Sequence, residues 1–186
     1  MGRKSLAVER TNQILDAFEQ CIVAYGFEGA TLQRTADRAS MNLGMIHHYI
    51  GRKNELLDAM VARLIKRTKE EMVSFNKSVP TSERLPFLIA LFFDDDLDEF
   101  DKVIDALYAS GYENPTIKAA LDNINQLYAS ILKAEVQRIH PDLSAERCYE
   151  IALTVLGLAY GSGALPLDGI RPEIWRMSAE TLINSP

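Results

Sequence analysis

The chain has 186 residues, of which 47% are hydrophobic and 25% charged; this composition excludes a disordered chain and fits one large or two small folded domains. Its apolar runs are shorter than the ~18 residues that a membrane-spanning helix needs, and its first residues lack the apolar stretch of a signal peptide. Its two cysteines are too few for a disulfide framework. We therefore expect a cytoplasmic protein. The net charge of -6, taken over the whole chain, argues against a nucleic-acid partner.

The charge is unevenly distributed along the chain. Residues 1–53 hold seven bases and five acids, a net charge of +2, and the remainder carries -8. This asymmetry keeps a nucleic-acid partner open for the N-terminal segment, although an excess of this size also arises by chance.

Apolar residues recur with helical periodicity almost throughout, and no stretch alternates long enough to predict a sheet. The first predicted helix carries Ile14, Phe18, Cys21, Ile22 and Tyr25 on its inner face and ends at Gly26. Beyond residue 50 the pattern predicts helices at about 53–78, 82–93, 96–110, 115–139, 144–165 and 172–184, separated by proline, glycine and capping residues. The sequence thus predicts an all-α fold of about nine helices.

Two short helical patterns lie unusually close together between residues 31 and 50. Residues 32–39 make about two turns, Ser40-Met41-Asn42 interrupts the pattern, and residues 43–50 resume it. Helices joined by three residues cross steeply, so their contact needs a small side chain, which Ala36 supplies. This is a helix-turn-helix arrangement, whose second helix can enter a major groove ~12 Å wide.

The candidate DNA-binding residues lie on and around the second of these helices. Thr31 and Asn42 are predicted to cap the two helices, whose free backbone N–H groups favour phosphate. Arg34 is placed to reach the DNA backbone. Arg52 and Lys53 lie where the fourth predicted helix begins, beside another helix N-terminus that favours phosphate. The outward positions of the second helix suit phosphates, base edges and thymine methyl groups; they are Leu43, Met45, His47, His48 and Tyr49.

The segment from Thr31 to Leu56 resembles the DNA-binding signature of TetR-family transcriptional regulators. The matching features are Thr31, Ala36, Ala39, Gly44, the aromatic or imidazole pair before Ile50, and the Lys53-x-Glu55-Leu56 opening of the fourth helix. Ser40 stands where the family usually has glycine, Thr35 where a larger aliphatic residue is common, His47 where tyrosine is common, and Ile50 where phenylalanine is common. The resemblance covers about residues 8–60.

The resemblance implies two domains. Residues 1–53 would form a three-helix helix-turn-helix domain, and a long fourth helix would join it to a helical ligand-binding and dimerisation domain, residues 54–186. Similar regulators enclose a small-molecule pocket, for which aromatic walls are suited; the candidates are Phe75, Phe92, Phe93, Tyr108, Tyr112 and Tyr128. Similar regulators also dimerise through their last two helices, where the candidate interface residues are Val155, Leu158, Ala159, Trp175 and Leu182.

An acidic run could bind a hard cation, but such runs are more often a solvated face that favours a helix N-terminus. It comprises Asp94, Asp95, Asp96, Asp98, Glu99, Asp101 and Asp105. We expect no metal and no cofactor, because no set of residues has metal-ligand spacing and no phosphate-cradling loop is present. No serine or cysteine has the local motif of a nucleophile.

The sequence therefore predicts a homodimeric, ligand-responsive transcriptional regulator rather than an enzyme. The expected partners are double-stranded operator DNA and a small-molecule effector of unknown identity, without a membrane. A repressor on a palindromic operator, released by its effector, is the form that the resemblance favours. Two alternatives stay open: a small all-α metal-dependent enzyme built on the acidic run, and a ligand sensor that acts through protein contacts.

Overall fold

The computed structural model describes residues 3–93, 98–164 and 173–186, and the regular structure within these ranges is entirely helical. Asp94, Asp95, Asp96 and Pro172 of the sequence-based predictions lie outside the described residues. The all-α prediction is confirmed. The described residues form α1 (Arg3–Gly29), α2 (Leu32–Arg38), α3 (Leu43–Tyr49), α4 (Lys53–Ser78), α5 (Arg84–Phe93), α6 (Glu99–Gly111), α7 (Pro115–Ile139), α8 (Ala145–Ala164) and α9 (Glu173–Asn184).

Helix boundaries follow the capping residues closely. Asn114 accepts hydrogen bonds from the backbone N–H groups of Thr116 (3.0 Å) and Ile117 (3.3 Å) at the start of α7. Ser144 accepts one from Arg147 (3.1 Å) at the start of α8. Each cap acts within three residues of the chain, which is why a local sequence pattern can indicate where these helices begin.

The sixth helix begins later than predicted. Asp98 accepts hydrogen bonds from the backbone N–H groups of Phe100 and Asp101, and the Asp101 carboxylate accepts one from the N–H of Asp98 in return. This reciprocal capping box sets the first turn at Glu99. Within the described residues, the acids at this end of the run therefore cap a helix.

The first helix breaks at Gly26, where the sequence predicted its end. Gly26 has a φ of 69° and a ψ of 169°, a conformation that is essentially restricted to glycine. Helical geometry resumes after it and runs to Gly29. No described helix is long and apolar enough to cross a lipid bilayer.

The described helices form two compact units. The first contains α1, α2, α3, the part of α4 up to Arg67, α6, and the part of α7 up to Asn123. The second contains the remainder of α4 and α7, together with α5, α8 and α9. The domain boundary at residue 53 stays a prediction; the first unit includes more of the chain than the helix-turn-helix.

The core of the first unit forms around α1. Ile14, Phe18, Cys21 and Ile22 are buried as predicted, but Tyr25 is 50% exposed, so its assignment to the inner face was wrong. The inner face of α1 packs against α2, α3 and α6, and Tyr25 lies beside the break at Gly26, where helical periodicity no longer indicates which face is covered.

The core of the second unit joins α4, α5, α7, α8 and α9 through apolar side chains such as Phe75, Leu132 and Val155. One carboxylate is buried there: Glu135 lies 2.8 Å from Arg138 Nε and 3.6 Å from Arg84 Nη1. Two cations compensate the loss of water around this charge. No buried side-chain nitrogen or oxygen of the described residues lacks a hydrogen-bond partner.

Candidate nucleic-acid interface

A short turn between α2 and α3 sets their crossing. The backbone N–H of Met41 donates to the Ala36 carbonyl oxygen at 2.9 Å, and Ser40 adopts a left-handed φ of 54°. Ala36 is completely buried, as predicted for the contact, and Ala39 is buried as well. The Gln13 amide donates to the Ala39 carbonyl oxygen at 2.9 Å, a contact 26 residues away in sequence that no local signal could predict.

Both predicted caps are present. Thr31 Oγ1 accepts a hydrogen bond from the Arg34 N–H (3.2 Å), and Asn42 Oδ1 accepts one from the Met45 N–H (2.9 Å). The hydroxyl of Thr35, a residue that departs from the family pattern, donates to the Thr31 carbonyl oxygen at 2.9 Å. This bond explains how a hydroxyl is accommodated at a completely buried position.

The outer face of α3 presents two imidazole rings. Ile46 is completely buried, whereas His47 and His48 are exposed. The His48 and Tyr49 rings meet edge to face at 5.0 Å. The remaining predicted contact residues, Leu43, Met45 and Tyr49, are half-buried, so the imidazoles are the most accessible groups that could meet a DNA groove.

Arg34 and Lys53, two of the cations that were predicted to bind the DNA backbone, contact the C-terminal end of α1. Arg34 Nη1 donates to the Gly29 carbonyl oxygen at 2.7 Å, and its guanidinium lies 4.5 Å from the centre of the Tyr25 ring. Lys53 Nζ donates to the Phe27 carbonyl oxygen at 3.1 Å and lies 4.4 Å from the Phe27 ring centre. Each cation therefore links neighbouring elements of the first unit.

An ion-pair cluster joins α4 to α1 within the same unit. Arg63 Nη1 lies 2.6 Å from Asp16 Oδ1, and Arg63 Nη2 lies 2.7 Å from Glu19 Oε1. Burial raises the pKa of Glu19 above its ordinary value, while the hydrogen bond and charge of Arg63 oppose that rise. Sequence reasoning missed this cluster because its members are 44 and 47 residues apart.

The second unit brings aromatic and polar side chains together. The Phe92 and Tyr128 rings lie 5.3 Å apart and nearly perpendicular, and the Tyr160 hydroxyl donates to Asn125 Oδ1 at 2.7 Å. Asn125 and Tyr128 lie three positions apart on α7 and thus share one side of the helix. We call Phe92, Asn125, Tyr128 and Tyr160 the aromatic–amide cluster; its two polar contact residues, Asn125 and Tyr160, were not predicted.

The other predicted pocket residues are dispersed. Tyr108 and Tyr112 belong to the first unit, where Tyr112 is exposed and lies 5.7 Å from the Lys118 ammonium. Phe93 is half-buried, and Phe75 is buried against the core of the second unit. The six aromatic residues therefore do not form one cluster within either unit.

An open groove of about 380 Å³ lies elsewhere in the second unit. None of the predicted aromatic residues lines it. Its lining residues are Ser78, Val79, Pro80, Glu83, Pro86 and Phe87.

The predicted dimer residues have unequal exposure. Val155 is completely buried in the core of its own chain, so its assignment to an interface is corrected. Leu158, Ala159, Trp175 and Leu182 are half-buried. The exposed apolar side chains of α8 and α9 are instead Tyr149, Leu153, Ile174 and Met177, which we call the α8–α9 apolar face.

The described residues contain no group of three or more histidine, cysteine, aspartate or glutamate side chains that could hold a metal ion. Asp101 is half-buried and Asp105 is exposed. The pKa values of both carboxyls are raised above the ordinary value, mainly because the surrounding protein partly removes them from water.

Comparison with known proteins identifies the fold and the family. No protein-family model matches the chain. The HTH-type transcriptional regulator BetI of Serratia proteamaculans (strain 568) is 30% identical over 144 residues, which cover 73% of this chain and 71% of that protein. The regulator of the same name from Burkholderia cenocepacia (strain HI2424) is 28% identical over 167 residues, covering 87% and 79%.

Two solved structures share the fold. A TetR transcription regulator from Haloarcula marismortui ATCC 43049 has a TM-score of 0.75 at 19% identity and covers 96% of this chain and 98% of its own. A transcriptional regulator from Saccharomonospora viridis, solved in complex with choline, has a TM-score of 0.77 at 16% identity and covers 96% and 97%. These relatives, together with the capped α2–α3 pair and its exposed imidazoles, show that the chain belongs to the TetR family of helix-turn-helix transcriptional regulators.

Proposed function

We propose that the protein is a homodimeric repressor whose two α3 helices bind a palindromic operator and whose small-molecule effector, bound by the second unit, releases the DNA. The observation that carries operator binding is α3 itself, where Asn42 caps a helix that buries Ile46 and exposes His47 and His48. Twofold symmetry would separate the half-sites by about one helical turn, ~34–36 Å, or a multiple of it. We expect the protein in the cytoplasm, together with the DNA that it binds.

Operator binding is tested with duplex DNA taken from upstream of the protein's own gene. We expect a specific mobility shift with the full-length protein. His48→Ala removes an exposed imidazole of α3 and should weaken the shift at least about tenfold, the effect of losing ~1.4 kcal/mol of contact energy. Gln126→Ala, an exposed change on α7, is the matched control. Equal affinity of the two variants would contradict the assignment of α3.

We further propose that the effector is a small organic cation. The structural neighbour from Saccharomonospora viridis was solved with choline, and the aromatic–amide cluster combines three aromatic rings with one amide. Ring faces attract quaternary ammonium groups. An amide or phenol can hydrogen-bond the hydroxyl of such a ligand.

The effector proposal is tested by calorimetric titration with choline and with 3,3-dimethylbutan-1-ol, its uncharged isostere. Choline should bind and the alcohol should bind at least about tenfold more weakly, because only the cation interacts with the ring quadrupole. Phe92→Leu should weaken choline binding, whereas Phe87→Leu, a change at an exposed ring outside the cluster, should not. Equal binding of the two ligands contradicts a cation site.

Release of DNA requires that the effector bind the free and DNA-bound states with different affinities. Saturation with the effector should therefore raise the operator Kd by at least about tenfold, near the middle of typical coupling energies. Tight effector binding with an unchanged operator Kd would contradict an effector-controlled repressor. Expression of a reporter with and without the effector distinguishes a repressor from an activator.

The same measurements separate the two alternatives. A metal-dependent enzyme built on the acidic run predicts metal-dependent turnover without sequence-specific DNA binding. A sensor that acts through protein contacts predicts effector binding without a DNA shift. A specific shift that the effector reverses supports the repressor over both.

A further inference from the structure

The ring of His47 is tied to the turn after α3, and this tie decides which ring nitrogen carries hydrogen. His47 Nδ1 lies 2.9 Å from the Gly51 carbonyl oxygen. A carbonyl oxygen only accepts hydrogen bonds, so Nδ1 must be the donor in this contact. In the neutral ring the other nitrogen, Nε2, then has a lone pair and no hydrogen. Only the imidazolium form presents an N–H group at Nε2.

The location of the ring favours phosphate as its partner. His47 is exposed and lies in the C-terminal half of α3. Recognition helices contact base edges mainly through their N-terminal residues, while the end of such a helix lies nearer the DNA backbone. A phosphate offers only acceptors, so the neutral ring would set its Nε2 lone pair against a phosphate oxygen, whereas imidazolium would donate to it with charge assistance.

Two carboxylates near His47 already have partners. The Glu55 carboxylate accepts a hydrogen bond from the Arg52 backbone N–H at 3.1 Å, and the Lys53 ammonium lies 3.7 Å from Glu28 of α1. No ion pair between described residues includes His47. Besides His47, the titratable and charged groups of α3 and of the start of α4 are His48, Tyr49, Arg52, Lys53 and Glu55. Those of α2 and of the end of α1, the two helices that pack against α3, are Arg34, Asp37, Arg38, Tyr25 and Glu28.

We propose that His47 binds an operator phosphate as imidazolium, so that each protomer takes up one proton when it binds DNA. The proton comes from solvent and is added to Nε2, which then donates to a phosphate oxygen, while Nδ1–H stays bonded to the Gly51 carbonyl. No covalent bond other than this N–H is formed. The inference rests on operator binding by α3. Because binding consumes a proton, operator affinity falls as pH rises.

The experiment uses the full-length protein and a duplex that the wild-type protein has selected from random-sequence DNA at pH 6. The operator Kd is measured by fluorescence anisotropy between pH 6 and pH 8 at constant ionic strength. For the wild type we expect Kd to rise with pH, with a limiting slope of about one decade per pH unit for each protomer, the value for one linked proton.

Four substitutions at the three histidines of the chain isolate the ring. The glutamine of His47→Gln cannot become charged. This variant should therefore bind DNA more weakly at pH 6 and lose the part of the pH dependence of log Kd that His47 contributes. His47→Tyr offers a neutral hydroxyl donor to phosphate, so it should recover affinity without recovering the slope. His48→Gln and His140→Gln should keep the wild-type slope, whatever their affinities.

Salt dependence is a second readout. A phosphate contact adds about 0.9 to the slope of log Kd against log salt concentration. The wild-type slope should therefore exceed that of His47→Gln by about that amount per protomer wherever the bound ring is imidazolium, and we expect this difference at pH 6.

The possible outcomes are distinct. If His47→Gln keeps the wild-type pH slope, the proposal is wrong although operator binding stands. If His47→Gln loses the same affinity at pH 6 and pH 8 and changes the preferred base at one position, His47 reads a base edge as a neutral ring, which also overturns the proposal. If the folded wild-type protein selects no duplex at any pH, operator binding fails, and this inference fails with it.

Discussion

The hydroxyl of Ser110, near the end of α6, accepts a hydrogen bond from the backbone N–H of Phe27 at 2.9 Å and donates one to the Ala106 carbonyl oxygen at 2.6 Å. Phe27 is the residue immediately after the break in α1, so its N–H has left the helical hydrogen-bond pattern and needs a partner. A Cβ atom at Gly26 would lie 3.2 Å from Ser110 Cβ. The close approach of α6 to α1 at this point thus requires both glycine and a small hydroxyl residue.

Replacement of Ser110 by alanine should destabilise the protein. The Phe27 N–H would lose its acceptor, which costs about 1 kcal/mol at a partly buried position. Ser130→Ala is the matched control, because the Ser130 hydroxyl bonds only within its own exposed helical turn, to the Gln126 carbonyl oxygen. Urea unfolding of both variants measures the difference, and equal midpoints would show that the Phe27 contact contributes nothing.

Replacement of Ser40 by glycine should stabilise the protein by up to about 1 kcal/mol. Ser40 has a φ of 54°, where a Cβ atom introduces strain that glycine avoids, although glycine also loses more backbone entropy on folding. Ser74→Gly, at an exposed position inside α4, should instead cost about 0.5 kcal/mol. A higher thermal unfolding midpoint for Ser40→Gly and a lower one for Ser74→Gly would show that the left-handed backbone at Ser40 is strained. A lower midpoint for both variants would contradict this.

Arg52 and Lys53 should differ in what their loss affects. Lys53 bonds to the Phe27 carbonyl oxygen, so Lys53→Ala should lower stability by about 1 kcal/mol as well as weaken operator binding. Arg52 is exposed, so Arg52→Ala should leave unfolding within about 0.5 kcal/mol of wild type. It should nevertheless reduce the salt slope of operator binding by about 0.9 per protomer. Anisotropy titrations at several salt concentrations and urea unfolding check both parts; an unchanged salt slope contradicts a phosphate contact by Arg52.

The stability of the first unit should respond to Asp105. Partial burial raises the pKa of this carboxyl above its ordinary value, so the native state binds protons more readily there than the unfolded chain. The contribution of this carboxyl to folding stability is most favourable at pH values below the ordinary aspartate pKa. It is lost as pH rises through the raised pKa of the folded state. Asp105→Asn should therefore raise the thermal midpoint at pH 7, and this advantage should shrink towards pH 4. Asp122→Asn controls for the removal of an exposed charge; an Asp105→Asn advantage that grows on acidification would have the wrong sign.

The α8–α9 apolar face should be the dimer interface. Leu153 is 46% exposed and Met177 is 63% exposed in the single chain, and twofold contact between two such faces would bury both. Leu153→Asp should therefore shift sedimentation towards the monomer. Leu91→Asp on α5, where the leucine is 43% exposed, is matched in chemistry and exposure and should leave the dimer intact. The reverse result would assign the interface to α5.

Local chemistry explains what could be predicted of the DNA-binding site. Thr31 and Asn42 cap helices through bonds to residues three positions ahead, and Ile46 lies inward because its position follows the helical period. Such features depend on neighbours along the chain, so the spacing from Thr31 to Leu56 was sufficient to predict two capped helices, a tight turn and the family. The helix-turn-helix required no knowledge of distant residues.

The sequence by itself determined the helices, the capped turn and the set of exposed groups on α3, and the tertiary structure decided the partners of those groups. Arg34 and Lys53 were predicted to reach for DNA, but the broken end of α1 supplies the carbonyl oxygens and rings that hold them. Val155 was predicted to contact a second copy of the chain, but it is buried in the core of a single chain. An amphipathic pattern shows that one face of a helix will be covered. Which neighbour covers that face depends on how distant segments pack, because burial and ion pairing are set by distance in space and not by separation along the chain.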